Sequence, residues 1–437
     1  MGSISFAALG NAFRIPEIRK KVLFTLFILL LYRMGSFLTV PGYNSQQIQD
    51  FFANNSAGIF GLLDLWTGGG LSNAAIFGLG VMPYITASII MQLMAVVIPA
   101  VDKMRKEGEA GYRRINRITR YLTGVLAAMQ ATGYYMLFRQ SQALPPEVQQ
   151  AAFFSTQNLS RMALVIISLT AGTLLLMWLG ELITQRGVGN GISLLIFASI
   201  LAGVGGGLTA WFSLDPIKRI VLPLIVVGVT VAVVFVQEGQ RKIPVQYARR
   251  QVGRKMTQGG STYLPLRVNM AGVIPIIFAT ALMAFPATFA QYAPDTDFGN
   301  IIRDVGNALS PTSTIGVFFE AGLVVMFTFF YTMVQFNPVD QADNLKKYGG
   351  FIPGVRPGAP TAHYLSRVLT RLTFPGSLYL ATLVIIPWAV ITLLNFPQSV
   401  YGALGGTTIL IVVGVALDSM RQMESQLVMR NYDGFLK

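Results

Sequence analysis

Charge-poor stretches of about twenty residues alternate with short polar connections along this chain. About twenty apolar residues in a helix match the hydrocarbon thickness of a bilayer, so the pattern predicts spans at about 22–40, 75–98, 119–138, 161–182, 191–212, 217–236, 268–291, 315–336, 372–394 and 401–418. The polar stretches sort by basic charge. Clusters within 14–21, 103–120, 241–267, 346–371 and 421–437, together with Arg186, hold 27 of the 33 Lys and Arg residues. The alternate connections hold only Arg33, Arg139, Arg161, Lys218, Arg219 and Arg303. Clustered Lys and Arg resist translocation, so the rich side is cytoplasmic. Both termini then lie inside, which requires an even number of spans, and ten fits.

One apolar segment falls outside the ladder. Residues 57–72, AGIFGLLDLWTGGGLS, are too short to span, contain Asp64, and carry the run Gly68-Gly69-Gly70. They read either as an amphipathic helix on the outer surface or as a re-entrant half-helix in a cavity, where irregular backbone is tolerated at depth. A second irregularity is an echo. Gly80-Val81-Met82-Pro83-Tyr84-Ile85 opens span two, and Gly272-Val273-Ile274-Pro275-Ile276-Ile277 opens span seven. Copies five spans apart run in opposite directions, as in an inverted repeat. Their Gly and Pro residues mark these helices as bent.

Composition narrows the chemistry. Apolar residues make up 53% and charged residues 12%, against about 45–50% and 25% in soluble domains. There is no cysteine and one histidine, His363, so thiolate metal sites and disulfides are excluded and the commonest general base is almost absent. No GxxxxGK[ST] loop is present to hold nucleotide phosphates. Glu181, Glu238, Glu320 and Asp418 read as hydrated or capping carboxylates at or near helix ends, which leaves no mid-membrane ionisable group to couple an ion to transport. The reading is therefore no enzyme, no cofactor and no metal. The first twenty residues show no cleavable signal; they read as a short basic amphipathic helix.

The polar groups inside the spans are uncharged, notably Thr86, Ser88, Gln92, Asn190 and Asn269, and most serve as interhelical glue. Two long cytoplasmic loops remain, about 238–267 and 337–370. The first holds Arg241, Lys242, Arg249 and Arg250 around a β-branched run and suggests a projecting hairpin. The second, YGGFIPGVRPG, is a Pro/Gly-shaped tip presenting Arg356. Both suit an acidic partner or the phosphates of a ribosome; DNA is not an expected partner.

These strings carry a resemblance. PEIRKKVLFTL (16–26), GVMPYITASIIMQL (80–93), KEGEAGYRR (106–114), RGVGNGISLLIFA (186–198), RKIPVQYARR (241–250), VNMAGVIPIIFA (268–279), NLKKYGGFIPGVRPG (344–358), RLTFPGSLYL (371–380) and GGTTILIVVGVALD (405–418) resemble the SecY family, the channel subunits of the bacterial Sec translocon. The match fails only in the outer loops at about 139–160 and 293–313.

The resemblance implies an all-α polytopic membrane protein of the bacterial cytoplasmic membrane. Ten transmembrane helices form two inverted pseudo-symmetric halves, 1–212 and 213–437, around a central pore closed by a plug at about 57–72. It implies a pore ring of Val81, Ile85, Ile192, Ile196, Ile277 and Ile411, with Ile274 close by, and plug residues Ile59, Phe60, Leu62, Leu63, Asp64 and Leu65. Val81 replaces the family's usual isoleucine, which suggests a slightly wider ring. A lateral gate between spans two and seven would carry Thr86, Gln92 and Asn269. Arg241, Lys242, Arg249, Arg250 and Arg356 would dock the SecA motor or the ribosome. SecE and SecG would be the companion subunits, and signal sequences and unfolded secretory polypeptides the cargo, with transmembrane segments released sideways into lipid. Two rival readings are a small-solute transporter, which the missing mid-membrane charge disfavours, and a membrane scaffold, for which a gate would be superfluous.

Overall fold

The computed structural model describes residues 15–41, 43, 45–54, 64, 66–140, 156–247, 250–252, 255–257, 260–291, 297–310, 313–396 and 406–435. Ahead of the first sheet lie α1 (Pro16–Gly35), α2 (Ser45–Asn54), α3 (Met82–Val97), α4 (Pro99–Lys106), α5 (Glu109–Gln140), α6 (Thr156–Arg186), α7 (Gly191–Phe212) and α8 (Pro216–Glu238). Strands β1 (Gln240–Tyr247), β2 (Arg250–Val252), β3 (Lys255–Thr257) and β4 (Ser261–Arg267) lead to α9 (Ile274–Gln291), α10 (Asp297–Ala308), α11 (Thr314–Gln335), α12 (Pro338–Lys347), β5 (Gly350–Phe351), α13 (Ala359–Leu394) and α14 (Gly406–Phe435).

A helix overlies every predicted span. Among the described residues, four helices are individually long and apolar enough to cross a membrane: Leu159–Arg186, Pro216–Glu238, Thr314–Lys347 and Ala359–Leu394. Their exteriors are apolar. On α8, Ile217, Ile220, Leu224, Val227, Val231 and Phe235 all lie exposed at steps of three and four residues, a stripe stable against lipid and unstable against water. Helix starts follow local chemistry. Asn190 accepts the backbone N–H groups of Ile192 and Ser193 at α7, and Ser313 accepts that of Gly316 at α11, each satisfying donors with no intrahelical partner.

Several sequence expectations shift. Spans two and seven are shorter than read, because their Gly and Pro residues set helix starts and do not bend the helices. Gly80 and Gly272 adopt left-handed φ of 57° and 65°. The helices begin at Met82 and Ile274, the same motif position, and Pro83 and Pro275 occupy the first turn, where a missing N–H costs nothing. The bend lies at the other end of α3, where α4 turns away by 102° after Ile98. The chain is also not purely helical. β1 pairs antiparallel with β4 as the expected hairpin, and β5 from the second long loop pairs with β1 through Gln246–Phe351 and Tyr247–Gly350. The second loop is itself largely ordered into α12, β5 and the start of α13. At 1.5 Å per residue, the 36-residue α13 extends well beyond a bilayer's apolar thickness.

Two large apolar cores flank the centre. One joins α1, α6 and α7 through Ile28, Tyr32, Leu176, Ile183, Leu195 and Ile200. The other joins α8, α9, α11 and α13 through Val233, Ile276, Val324 and Leu380. α14 serves both, with Ile411 and Val415 in the first and Ile409 and Leu410 in the second.

Candidate pore ring and its surroundings

The left-handed turn at Gly80 delivers Val81 and the first turn of α3 to the seam between the cores, and the matching turn at Gly272 delivers the first turn of α9. Val81, Met82, Ile85, Ile196, Ile277 and Ile411, with Trp66, line one small cavity there. The cavity's volume is about 10 Å³, room for roughly one water. Val81, Ile196 and Ile411 are buried. The lining is alkyl apart from an indole and a thioether, so it offers an ion nothing to replace its hydration shell. Ile192 and Ile274 are not among the lining residues. Ile192 packs its Cδ1 against Gly180 of α6, and Ile274 starts α9. Sequence reasoning overlooked Trp66 and Met82. The signal for Met82 was present, since it follows Val81 within the echoed motif.

Trp66, which lines the cavity, belongs to the described end of the short segment between spans one and two. The Tyr32 hydroxyl lies 2.9 Å from the Thr67 carbonyl and 2.6 Å from Ser199 Oγ. Arg33 Nη1 donates to the Gly68 carbonyl at 2.7 Å. Gly68 has a φ of 67°, and a Cβ there would meet the Ser199 backbone and the Tyr32 hydroxyl, so this crossing demands glycine. Asp64 accepts the Ser72 backbone N–H at 2.7 Å through its carboxylate and the Gly69 N–H through its carbonyl. Burial pushes the Asp64 carboxyl above the usual carboxylate range, and the bonds from Ser72 pull it back. Ile59, Phe60, Leu62, Leu63 and Leu65 lie outside the described residues.

The polar residues expected at the gate do not bond to one another. Thr86 donates to Met82 O, Gln92 donates to Ser88 Oγ, and the Asn269 amide closes a turn on both backbone groups of Gly272. Asn269 is thereby the brace of the left-handed turn that starts α9. Gln92 and Ser88 line a larger cavity of about 280 Å³ between α3, α4, α5 and α11, with Tyr84, Arg105, Asn116 and Tyr331. Arg105 reaches across to donate to Val334 O.

One carboxylate departs from expectation. Glu320 lies in the second turn of α11 and is only 4% exposed; its Oε1 is 2.7 Å from Thr280 Oγ1 of α9. It is not a hydrated end group: it is buried, with the Thr280 hydroxyl of α9 at its carboxylate.

In the first long loop, Arg241 and Lys242 project from β1, exposed. Arg250 starts β2, and Arg249 lies outside the described residues. Arg356 is exposed on a tip shaped by Gly354 and Gly358, whose φ values are 82° and 100°. The Arg356 carbonyl accepts from Thr361 Oγ1 at the start of α13, which anchors the tip. The shared sheet sets the two loops side by side, over a core of Ile243, Val245, Leu266, Ile352 and Leu365.

A family model described as SecY matches residues 75–420. The chain is 44% identical to "Protein translocase subunit SecY" of Streptomyces coelicolor, covering 98% of this chain and 99% of that protein. It is 45% identical to the protein of that name from Halalkalibacterium halodurans, covering 99% and 100%. Among solved structures it resembles one described as "The structure of a protein conducting channel", with a TM-score of 0.62 at 19% identity over 96% of this chain and 97% of the other. It also resembles one concerning the plug domain of SecY and the closed state of the translocation channel, with a TM-score of 0.61 at 20% identity over the same shares.

Proposed function

The chain belongs to the SecY family of protein translocase subunits, and from that premise we propose how it conducts a polypeptide. The carrying observation is the alkyl cavity assembled from α3, α7, α9 and α14, with room for about one water. A ring this narrow and this apolar stays dry and passes no ions at rest. Methyl and methylene groups attract any side chain through dispersion alone, so the same ring closes around a moving chain of any sequence. Ile192 and Ile274 stand behind the ring as support.

The two halves, 1–212 and 213–437, separate along α3 and α9 to admit an apolar signal helix and release transmembrane segments into lipid. Thr86, Gln92 and Asn269 set the ease of that opening through the helix starts they brace. The segment at about 57–72 blocks the outer side as a plug.

The chain sits in the bacterial cytoplasmic membrane with both termini inside, alongside SecE and SecG. Arg241, Lys242, Arg249, Arg250 and Arg356 dock SecA or the ribosome; two solved structures of similar fold are described as Sec61 in a canine ribosome-channel complex and as an idle yeast Ssh1 complex bound to the yeast 80S ribosome, and the sheet that joins β5 to β1 supports a shared docking face. The work comes from those partners, and this subunit performs no covalent chemistry.

Resting conductance in planar bilayers tests the seal. Replacing Val81 and Ile277 together by Ser and Asn supplies hydrogen-bonding groups, and the resting channel leaks. Unchanged conductance in a folded double variant contradicts the ring.

A further inference from the structure

Glu320 lies about 9 Å along α11 from its first residue, inside the apolar part of that span. Among the described residues it is the most deeply buried Asp or Glu. An ionisable group at such a depth is costly and normally faces a partner that neutralises it. The elements packed around it supply no such partner. α9 carries no Asp, Glu, Lys, Arg or His. The part of α13 beside it, marked by the contact of Trp388 with Phe318, has Tyr379 as its one titratable residue; His363, Tyr364, Arg367 and Arg371 lie toward the other end of that helix. On α11 itself the other titratable residue is Tyr331, about 16 Å further along. α10, against α9 and the start of α11, holds Asp297, Arg303 and Asp304, and none of the three reaches Glu320.

The hydrogen count at Thr280 points to the state of the carboxyl. Thr280 Oγ1 lies 2.9 Å from the Ile276 carbonyl and 2.7 Å from Glu320 Oε1. A threonine hydroxyl has one hydrogen, and a carbonyl can only accept. With that hydrogen on Ile276 O, the contact to Oε1 needs a second hydrogen, which only a protonated Glu320 supplies. The other assignment has Thr280 donate to an ionised Glu320. It leaves the Ile276 contact without a hydrogen and the buried charge with one neutral donor and no cation. The neutral acid satisfies both contacts: Glu320 donates to Thr280, and Thr280 donates to Ile276 O.

This relay ends in the first turn of α9, next to the ring. Ile276 precedes Ile277 of the ring, and Thr280 follows Ile277 by about 4.5 Å along the axis. Phe278 stacks on Phe327 of α11 at 5.3 Å between centroids, so an apolar and a polar contact fix α9 to α11 side by side. We propose that Glu320 is a neutral acid in the resting channel and a positioning residue for α9, and that opening releases its proton to water. The effect on the seal rests on the reading of the alkyl ring as the pore. Opening displaces α9 and Thr280 with it, and water reaches the carboxyl. The O–H bond breaks, water takes the proton, and the carboxylate disfavours return to the dry contact until a proton rebinds. The open state has then lost a proton that the closed state keeps, so rising pH favours opening, by up to about tenfold per pH unit for one proton.

The test uses the whole chain with its companion subunits in vesicles and planar bilayers. Infrared difference spectra between the parent and Glu320→Gln at neutral pH should show the carbonyl stretch of a protonated carboxylic acid in the parent alone. Resting conductance of the parent should rise as the pH on both sides is raised, by up to about tenfold per unit, and fall again on return to neutral. Glu320→Gln keeps a donor for Thr280 Oγ1 at every pH, so it should match the parent at neutral pH and lose the rise. Thr280→Val removes the acceptor and should leak more at neutral pH by roughly two- to tenfold, and Thr280→Ser should restore the seal. Absence of the protonated band refutes the neutral acid. A flat parent profile, or a rise in Glu320→Gln as steep as the parent's, refutes its control of opening. The Val81→Ser, Ile277→Asn double variant separates this from the ring. If that variant is tight while the band is present, the ring reading fails, and the link to the seal with it, while the neutral acid stands.

Discussion

Arg105 on α4 donates through Nη2 to the carbonyl of Val334 on α11, 3.0 Å away across 229 residues of sequence. Val334 lies in the last turn of α11, where carbonyls lack intrahelical partners and the helix dipole is negative. A guanidinium there satisfies a carbonyl and favours the dipole at once. The bond also bridges one edge of the 280 Å³ cavity that Gln92 and Ser88 line.

If α3 and α11 lie on opposite sides of a lateral gate, the Arg105 bond helps keep that gate closed. Arg105→Met should raise export of a reporter with a weakened signal sequence by roughly two- to tenfold, the size of one lost hydrogen bond. Export at the parent rate, with normal amounts of the variant in the membrane, removes Arg105 from gate control.

Glu320 and Thr280 predict a stability pattern. The carboxyl is buried and its partner found among the described residues is the Thr280 hydroxyl. Thr280→Val leaves it without that partner and should cost about 1–3 kcal/mol. Glu320→Gln keeps the shape and gains an N–H donor, so it should change stability by less than about 1 kcal/mol. Thermal unfolding in detergent distinguishes them; equal losses in the two variants contradict the pairing.

Arg356 should matter for docking and not for folding. Its side chain is exposed, while its carbonyl anchors the tip through Thr361. Arg356→Glu should therefore abolish most secretion while the variant inserts and unfolds like the parent. Secretion at the normal rate rules the docking role out.

Topology gives a fourth expectation, from the distribution of the 33 basic residues. Tags placed after Lys437 and within residues 240–255 should be reached only by reagents in the cytoplasm. Labelling of either from outside contradicts the ten-span arrangement.

The spans were legible because a bilayer imposes one length and one composition on every crossing helix. The hairpin of β1 and β4 was legible too, since its β-branched run is local. Its pairing with β5 was not: Gln246 and Phe351 are brought together only by the tertiary fold. The echoed Gly-Val-x-Pro motifs were visible but misread as bends, because Gly and Pro favour helix starts as readily as kinks, and only the backbone angles of Gly80 and Gly272 decide. Glu320 was misjudged for a related reason. Position along a helix says how far a residue is from the end, while burial depends on the helix packed alongside. Trp66 was hidden by its segment's ambiguity between a surface helix and a re-entrant one.

The central claim is that a translocating chain passes through the ring lined by Val81, Ile85, Ile277 and Ile411. The sequence contains no cysteine, so single cysteines can be introduced without background. Stalling a secretory chain that carries one cysteine and oxidising it against Ile85→Cys, Ile277→Cys or Ile411→Cys tests the path directly. The account predicts disulfide cross-links at all three positions and none at Leu224→Cys, on the exposed face of α8. Cross-linking at Leu224→Cys without cross-linking at the ring positions would contradict it.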